Sequence, residues 1–244
     1  MLSPLKKRLG VFTAIAVMAA LVPALVASPA SAAASATTQV KADTTLVEAC
    51  PASASIASAG FTDTTSTDVD CIKYYGVTTG VTATTYEPAG TVTRETMALF
   101  LTRLATAMGV TLGDGSDQGF TDLPTSAASV TAINQIKQLG VTVGTTATTY
   151  SPDDNVTREQ MAMFIERLLG KTAPGPNGNS DDTLTTNISG NATTYNYADI
   201  DTGVTYEGHN AIAELYHLGV TDDVSGATAY RPTADITRAE MATF

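Results

Sequence analysis

Val92-Thr93-Arg94-Glu95-Thr96-Met97-Ala98 recurs as Val156-Thr157-Arg158-Glu159-Gln160-Met161-Ala162 and again as Ile236-Thr237-Arg238-Ala239-Glu240-Met241-Ala242. Working outward, a tyrosine stands eight residues before each arginine (Tyr86, Tyr150, Tyr230), and a proline follows two residues after each tyrosine (Pro88, Pro152, Pro232). Further upstream lie Gly76-Val77, Gly140-Val141 and Gly219-Val220. Each unit opens on an aromatic-x-Asp step: Phe61-Thr62-Asp63, Phe120-Thr121-Asp122 and Tyr197-Ala198-Asp199. The arginines are spaced by 64 and 80 residues. Similarity held in register over whole units marks a repeat architecture.

Within a unit the pattern reads helix, loop, helix. Apolar residues three or four apart precede each glycine: Val69, Ile72 and Tyr75; Ile133, Ile136 and Leu139; Ile212, Leu215 and Leu218. That is one face of a helix, which the glycine then ends by supplying a positive φ. The second helix starts at Thr-Arg, with Met97, Phe100, Leu101 and Leu104, or Met161, Phe164, Ile165 and Leu168, as its apolar face. Two such helices cannot enclose a core alone, but three units can. The fold class expected is mainly α: three helix–loop–helix repeats packed as a pseudo-threefold bundle, with Ile72, Ile136 and Leu215 in equivalent buried positions.

The units resemble the S-layer homology domain family. The resemblance rests on the aromatic-x-Asp opening, the Gly-Val turn, the Tyr-x-Pro loop and Ile236-Thr237-Arg238-Ala239-Glu240, which matches the family's signature pentapeptide in full. It implies non-covalent anchoring to a secondary cell-wall polysaccharide, often one bearing pyruvate ketals, in grooves between neighbouring repeats. The first two units depart from it: Thr96 and Gln160 replace the final Glu, and Glu95 and Glu159 replace the Ala.

Among the repeated residues, Thr93, Thr157 and Thr237 sit where an N-cap belongs, and Thr157 with Gln160 and Thr237 with Glu240 fit a capping box. An arginine at the first helical position is different, because the positive end of the helix dipole disfavours it by about 0.3–1 kcal/mol. Arg94, Arg158 and Arg238 therefore call for an anion, either an internal carboxylate or a ligand's. Free backbone N–H groups plus a guanidinium fork would suit a carboxylate, and the resemblance favours the ligand. On that reading each arginine faces a groove, and Arg94→Ala or Arg158→Ala weakens binding with little change in stability. Arg103 and Arg167 are read as surface ion-pairing residues. Tyr86, Tyr150 and Tyr230 either stack on a sugar or pin the loop. Gly76 and Gly140 serve the turn or let a ligand approach the backbone. Phe61 and Phe120 read as core, and Asp63, Asp122 and Asp199 as turn or cap residues.

The chain starts with Lys6, Lys7 and Arg8, an apolar run and small residues, the pattern of a secretory signal peptide cleaved near Ala33 to Ser35. The expected organisation is a signal peptide (1–34), an N-terminal segment (35–59), repeats at 60–110, 119–170 and 196–244, and a Gly/Asn/Thr/Asp-rich linker or insertion (171–195). The third repeat stops a turn or two short of the helix expected from the first two, so a fragment or the front of a longer protein is expected. Removing the leader takes three of 13 basic residues and no acidic one, leaving ten against 24, a net charge of −14. That disfavours nucleic acid and anionic lipid as partners, although a few converging cations can still bind an anion. No membrane insertion is expected after cleavage. The two cysteines, Cys50 and Cys71, should pair after export, closing a loop of about 20 residues for about 3 kcal/mol.

The sequence points to no enzyme, cofactor or metal site. His209 and His217 have no third histidine or cysteine near them, and no phosphate loop or nucleophile elbow is present. The expected partner is a cell-wall polysaccharide, and the expected location is the cell surface. The rival reading is a calcium-dependent lattice or adhesive protein, based on Asp153-Asp154-Asn155, Asp181-Asp182 and Asp222-Asp223, none of which completes a calcium loop. A further alternative makes the chain the anchor of an enzyme lying beyond Phe244.

Overall fold

The structure is a computed structural model and describes residues 56–172, 197–218, 220–221 and 228–244, with the side chains of 217 and 218 left aside. The leader, Cys50, most of the 171–195 insertion, Gly219, Asp181-Asp182 and Asp222-Asp223 lie outside the described residues.

Six helices follow in order: α1 (Thr67–Tyr74), α2 (Arg94–Ala107), α3 (Ala127–Gln138), α4 (Arg158–Leu169), α5 (Tyr206–Leu218) and α6 (Arg238–Thr243). Among the described residues there is no strand, only isolated antiparallel bridges, so the fold is mainly helical as expected. The first helix of each unit packs on the second helix of another unit: α3 on α2, α5 on α4 and α1 on α6. Amphipathic helices that cannot bury their faces within a unit bury them between units.

Local chemistry sets the helix ends. Thr93, Thr157 and Thr237 are extended N-caps whose hydroxyls accept from the backbone N–H three residues on, and the last two form complete capping boxes. At the other end, Gly76 and Gly140 adopt φ +73 and +76. Val77 and Val141 then donate to the carbonyls of Ile72 and Ile136 at 2.8 and 2.9 Å, which completes a Schellman turn. Both valines are buried.

Where the units meet, their backbones close a ring. Val92 N donates to Ile236 O (3.1 Å), Ile236 N to Val156 O (2.9 Å) and Val156 N to Val92 O (2.9 Å). All three side chains are fully buried. Each satisfied amide avoids the desolvation cost of an orphaned one, about 1–3 kcal/mol.

Ile133, Ile136, Ile212 and Leu215 are buried along the expected faces, as are Met97, Phe100, Leu101, Met161, Phe164, Ile165 and Leu168. The first unit differs. Ile72 is only partly buried and Tyr75 is exposed, because α1 packs on α6, which is six residues long where α2 and α4 have 14 and 12. The equivalence expected of Ile72, Ile136 and Leu215 is therefore imperfect. Cys71 is buried on α1. No helix among the described residues is long and apolar enough to cross a membrane.

Candidate functional site

The repeated arginines and tyrosines are one device. Arg94 Nε donates to Tyr150 O (2.7 Å), and Tyr150 Oη donates back to Arg94 O (2.7 Å). Arg158 and Tyr230 do the same at 2.7 and 2.9 Å, and Arg238 and Tyr86 at 2.6 Å in both directions. Each guanidinium lies over the ring of its tyrosine, 4.6, 4.7 and 4.5 Å from the centroid. Each also lies near a phenylalanine of its tyrosine's unit: Phe164, Phe244 or Phe100. Desolvated cation–π contacts of this kind contribute about 2 kcal/mol. Every clasp joins one unit to the next.

This geometry bears on three of the sequence readings. The arginines do not stand open on a surface; Arg94, Arg158 and Arg238 are 4, 2 and 7% exposed. The tyrosines are fully buried and cannot stack on a sugar, since the arginine covers the ring. The helix N-termini are not free either. Arg94 N and Glu95 N donate to Asp154 O and Pro152 O, Arg158 N and Glu159 N to Ala234 O and Pro232 O, and Arg238 N and Ala239 N to Gly90 O and Pro88 O. The neighbouring Tyr-x-Pro loop thus caps each helix, and its carbonyls and ring faces offset the dipole penalty. Gly76 and Gly140 end helices, and their positive φ is explained by the turn alone.

The loop is held from below. Asp63 accepts from Tyr86 N and Glu87 N, Asp122 from Tyr150 N and Ser151 N, and Asp199 from Tyr230 N and Arg231 N, at 2.7–3.1 Å. These bonds fix Glu87, Ser151 and Arg231 at φ 58, 56 and 60, a left-handed conformation that costs about 1–2 kcal/mol without glycine. The Tyr86 and Glu87 amides lower the pKa of Asp63. Burial raises that of Asp122, but the Tyr150 and Ser151 amides outweigh it. A carboxyl depressed in the folded state stabilises above its unfolded pKa, near 4, and the contribution is lost as pH falls through the folded value. Asp122→Asn should therefore lower the thermal midpoint at pH 6, and the gap from wild type should close well below pH 4. A constant gap across a pH series would contradict this.

Among the described residues a groove remains accessible. Thr78, Gly80, Thr96, Phe100, Arg103 and Arg238 line a cavity of about 230 Å³ where the α1–loop turn and α2 of the first unit meet α6 of the third. Arg238 enters it with Nε committed to Tyr86 O, and no hydrogen-bond or ion-pair partner of its terminal nitrogens is found among the described residues. Burial pulls its pKa down, while Tyr86, Glu87 and Asp63 pull it up; neither acid reaches ion-pair distance. Arg103 donates to Val77 O (3.4 Å), and Lys73 Nζ to Thr79 O (3.3 Å) on the groove wall. Two of the ten basic residues outside the leader, Arg103 and Arg238, thus line this groove. Lys137, Arg167 and Arg94 are placed alike in the next unit: Lys137 Nζ bonds Val143 O (2.8 Å) and Arg167 bonds Val141 O (3.1 Å). There Arg167 is also paired with Glu207 (2.7 Å).

The third arginine differs. Arg158 Nη1 pairs with Glu240 Oε1 (3.0 Å), as does Arg231 Nη2 (2.7 Å). Burial raises the pKa of Glu240, but the Thr237 donors, Arg158 and Arg231 outweigh it and hold it below the ordinary carboxylate value.

Residues 119–162 and 196–242 each match the model of the S-layer homology domain. These two segments are S-layer homology domains. The first unit lies outside the matched segments, and it carries the same clasp and loop anchor as the other two and the same Schellman turn as the second. No curated protein matches the chain. S-layer homology domains are known for anchoring proteins to cell walls, and they imply an exported, surface-associated protein.

Other residues of the repeated units fall as follows. Phe61 and Phe120 are core, as expected. Arg167 makes the expected ion pair; Arg103 instead lines the groove. His209 lies 3.7 Å from Asp201, and the side chain of His217 is outside the described residues. Among the described residues, no three His, Cys, Asp or Glu side chains gather to hold a metal.

The groove wall is not marked by the repeated motifs above. Gly80 and Gly144 stand four residues after Gly76 and Gly140, a repetition that was available as a signal. They sit at φ +85 and +91, and a Cβ on Gly80 would lie 2.5 Å from Phe61 Cε1 and from Thr82 O. Gly80→Ala should cost about 2 kcal/mol or more, measured by urea unfolding; an unchanged midpoint would contradict the assignment.

Proposed function

We propose that the chain anchors an exported protein non-covalently to the cell wall by binding an acidic wall polysaccharide, one bearing pyruvate ketals, through grooves between its units. The observation carrying this reading is Arg238, more than nine-tenths buried, unpartnered at its terminal nitrogens and aimed into a cavity beside Arg103. A planar guanidinium on an aromatic face is preorganised for a carboxylate. In a chain of net charge −11, such convergence of cations is a local departure that fits an anionic ligand. The reading assigns binding, with no catalytic role and no cofactor. Sedimentation of the protein with purified wall polymer, in the presence of a metal chelator, tests it. Dependence on calcium would favour the lattice alternative.

The same reading includes export and a Cys50–Cys71 bridge. Secreted protein should begin near Ala33 to Ser35 and show no free thiol. N-terminal sequencing and a thiol titration check both, and two free thiols would rule out the bridge.

A further inference from the structure

We infer that the third residue of each second helix decides whether the neighbouring arginine is open to an anion, so that Glu240 closes the Arg158 site while Thr96 and Gln160 leave Arg238 and Arg94 open. The inference rests on the carboxylate-binding reading above and concerns which of the three equivalent positions can serve it.

The number of available oxygens sets which site is open. Glu240 has two. Oε2 completes the capping box by accepting from Thr237 N and Oγ1, both at 2.9 Å, and this leaves Oε1 for Arg158 and Arg231. Gln160 has a single oxygen, which already accepts from Thr157 N. Thr96 turns its hydroxyl to Thr93 (3.0 Å). Among the described residues, the terminal nitrogens of Arg94 and Arg238 therefore have no partner, while Arg158 holds an internal carboxylate where a ligand's would lie. The cationic surroundings agree. Lys73 and Lys137 stand three residues before the turn glycine in the first two units, and Tyr216 takes that place in the third. The full signature pentapeptide would thus mark the self-satisfied site, and the two departures from it the open ones.

The test uses pyruvate alone as probe, titrated into the full chain labelled with ¹⁵N-arginine, reading the guanidinium Nε–H signals. Those of Arg94 and Arg238 should move in a saturable way, and that of Arg158 should not. Thr96→Glu, which removes no buried group, should raise the half-saturation of the Arg238 response at least tenfold. Gln160→Glu should do the same to Arg94, and Glu240→Gln should make Arg158 respond. The inference is overturned if Arg158 responds like the others in the wild type, if no arginine responds, or if folded Thr96→Glu and Gln160→Glu proteins respond as the wild type does. Intact arginine responses in a protein that ignores wall polymer would count against the anchoring function alone.

Discussion

Arg158→Ala should lower the unfolding free energy by about 3 kcal/mol, with little effect on wall binding. The guanidinium is 2% exposed, lies over Tyr230, bonds its carbonyl and pairs with Glu240. Removing one partner of a buried pair commonly costs about 3–5 kcal/mol. Glu240 is a quarter exposed and keeps Arg231, so the lower end applies. The substitution also opens a void between two units and leaves a buried carbonyl without its donor. Tyr150→Phe, which deletes only the hydroxyl returning to Arg94 O, should cost about 1–2 kcal/mol. Urea unfolding of both variants is the check. A change under about 0.5 kcal/mol for Arg158→Ala would mean that the clasp does not hold the units together. This revises the expectation that alanine at these positions leaves stability nearly untouched.

Arg238→Lys should weaken binding to wall polymer by about one to two decades, the loss of a charge-assisted contact worth roughly 1.5–3 kcal/mol. Lysine keeps the charge, but it loses the fork and the flat contact with Tyr86 that aim the group into the groove. Arg158→Lys should leave affinity close to wild type, because that position faces Glu240. Both substitutions sacrifice an Nε bond to a tyrosine carbonyl, so their stability losses should be similar while their binding losses differ. Equal losses in binding would mean that folding, and not the groove, sets affinity.

How far the sequence was legible follows from what kind of information each residue carries. Helix faces, N-caps and the Gly-Val turns depend on neighbours three or four residues away, so Ile136, Thr157 and Gly140 could be read directly. The arginines were recognised as anomalous at a helix start, and the anomaly was real. Its resolution was not readable, because Tyr150 lies 56 residues from Arg94, and Tyr86 lies 152 from Arg238. Nothing in the spacing says that the tyrosine of one unit receives the arginine of another. Glu240 was read as a capping residue, which it is. Its second oxygen, committed to Arg158, appears only once the loops are in place. Arg103 was read as an ion-pairing residue from its position on α2. The pairing carboxylate exists only for Arg167, since Glu207 belongs to α5 and no carboxylate pairs with Arg103 among the described residues.

The most direct test is the affinity of the secreted protein for purified wall polysaccharide before and after selective removal of its pyruvate ketals, with a metal chelator present throughout. Binding to the intact polymer should survive chelation and fall at least tenfold once the ketals are removed, and Arg238→Lys should lose most of that difference. Equal affinity for the two polymers, or binding that vanishes with the chelator, would contradict a carboxylate held by the groove arginines.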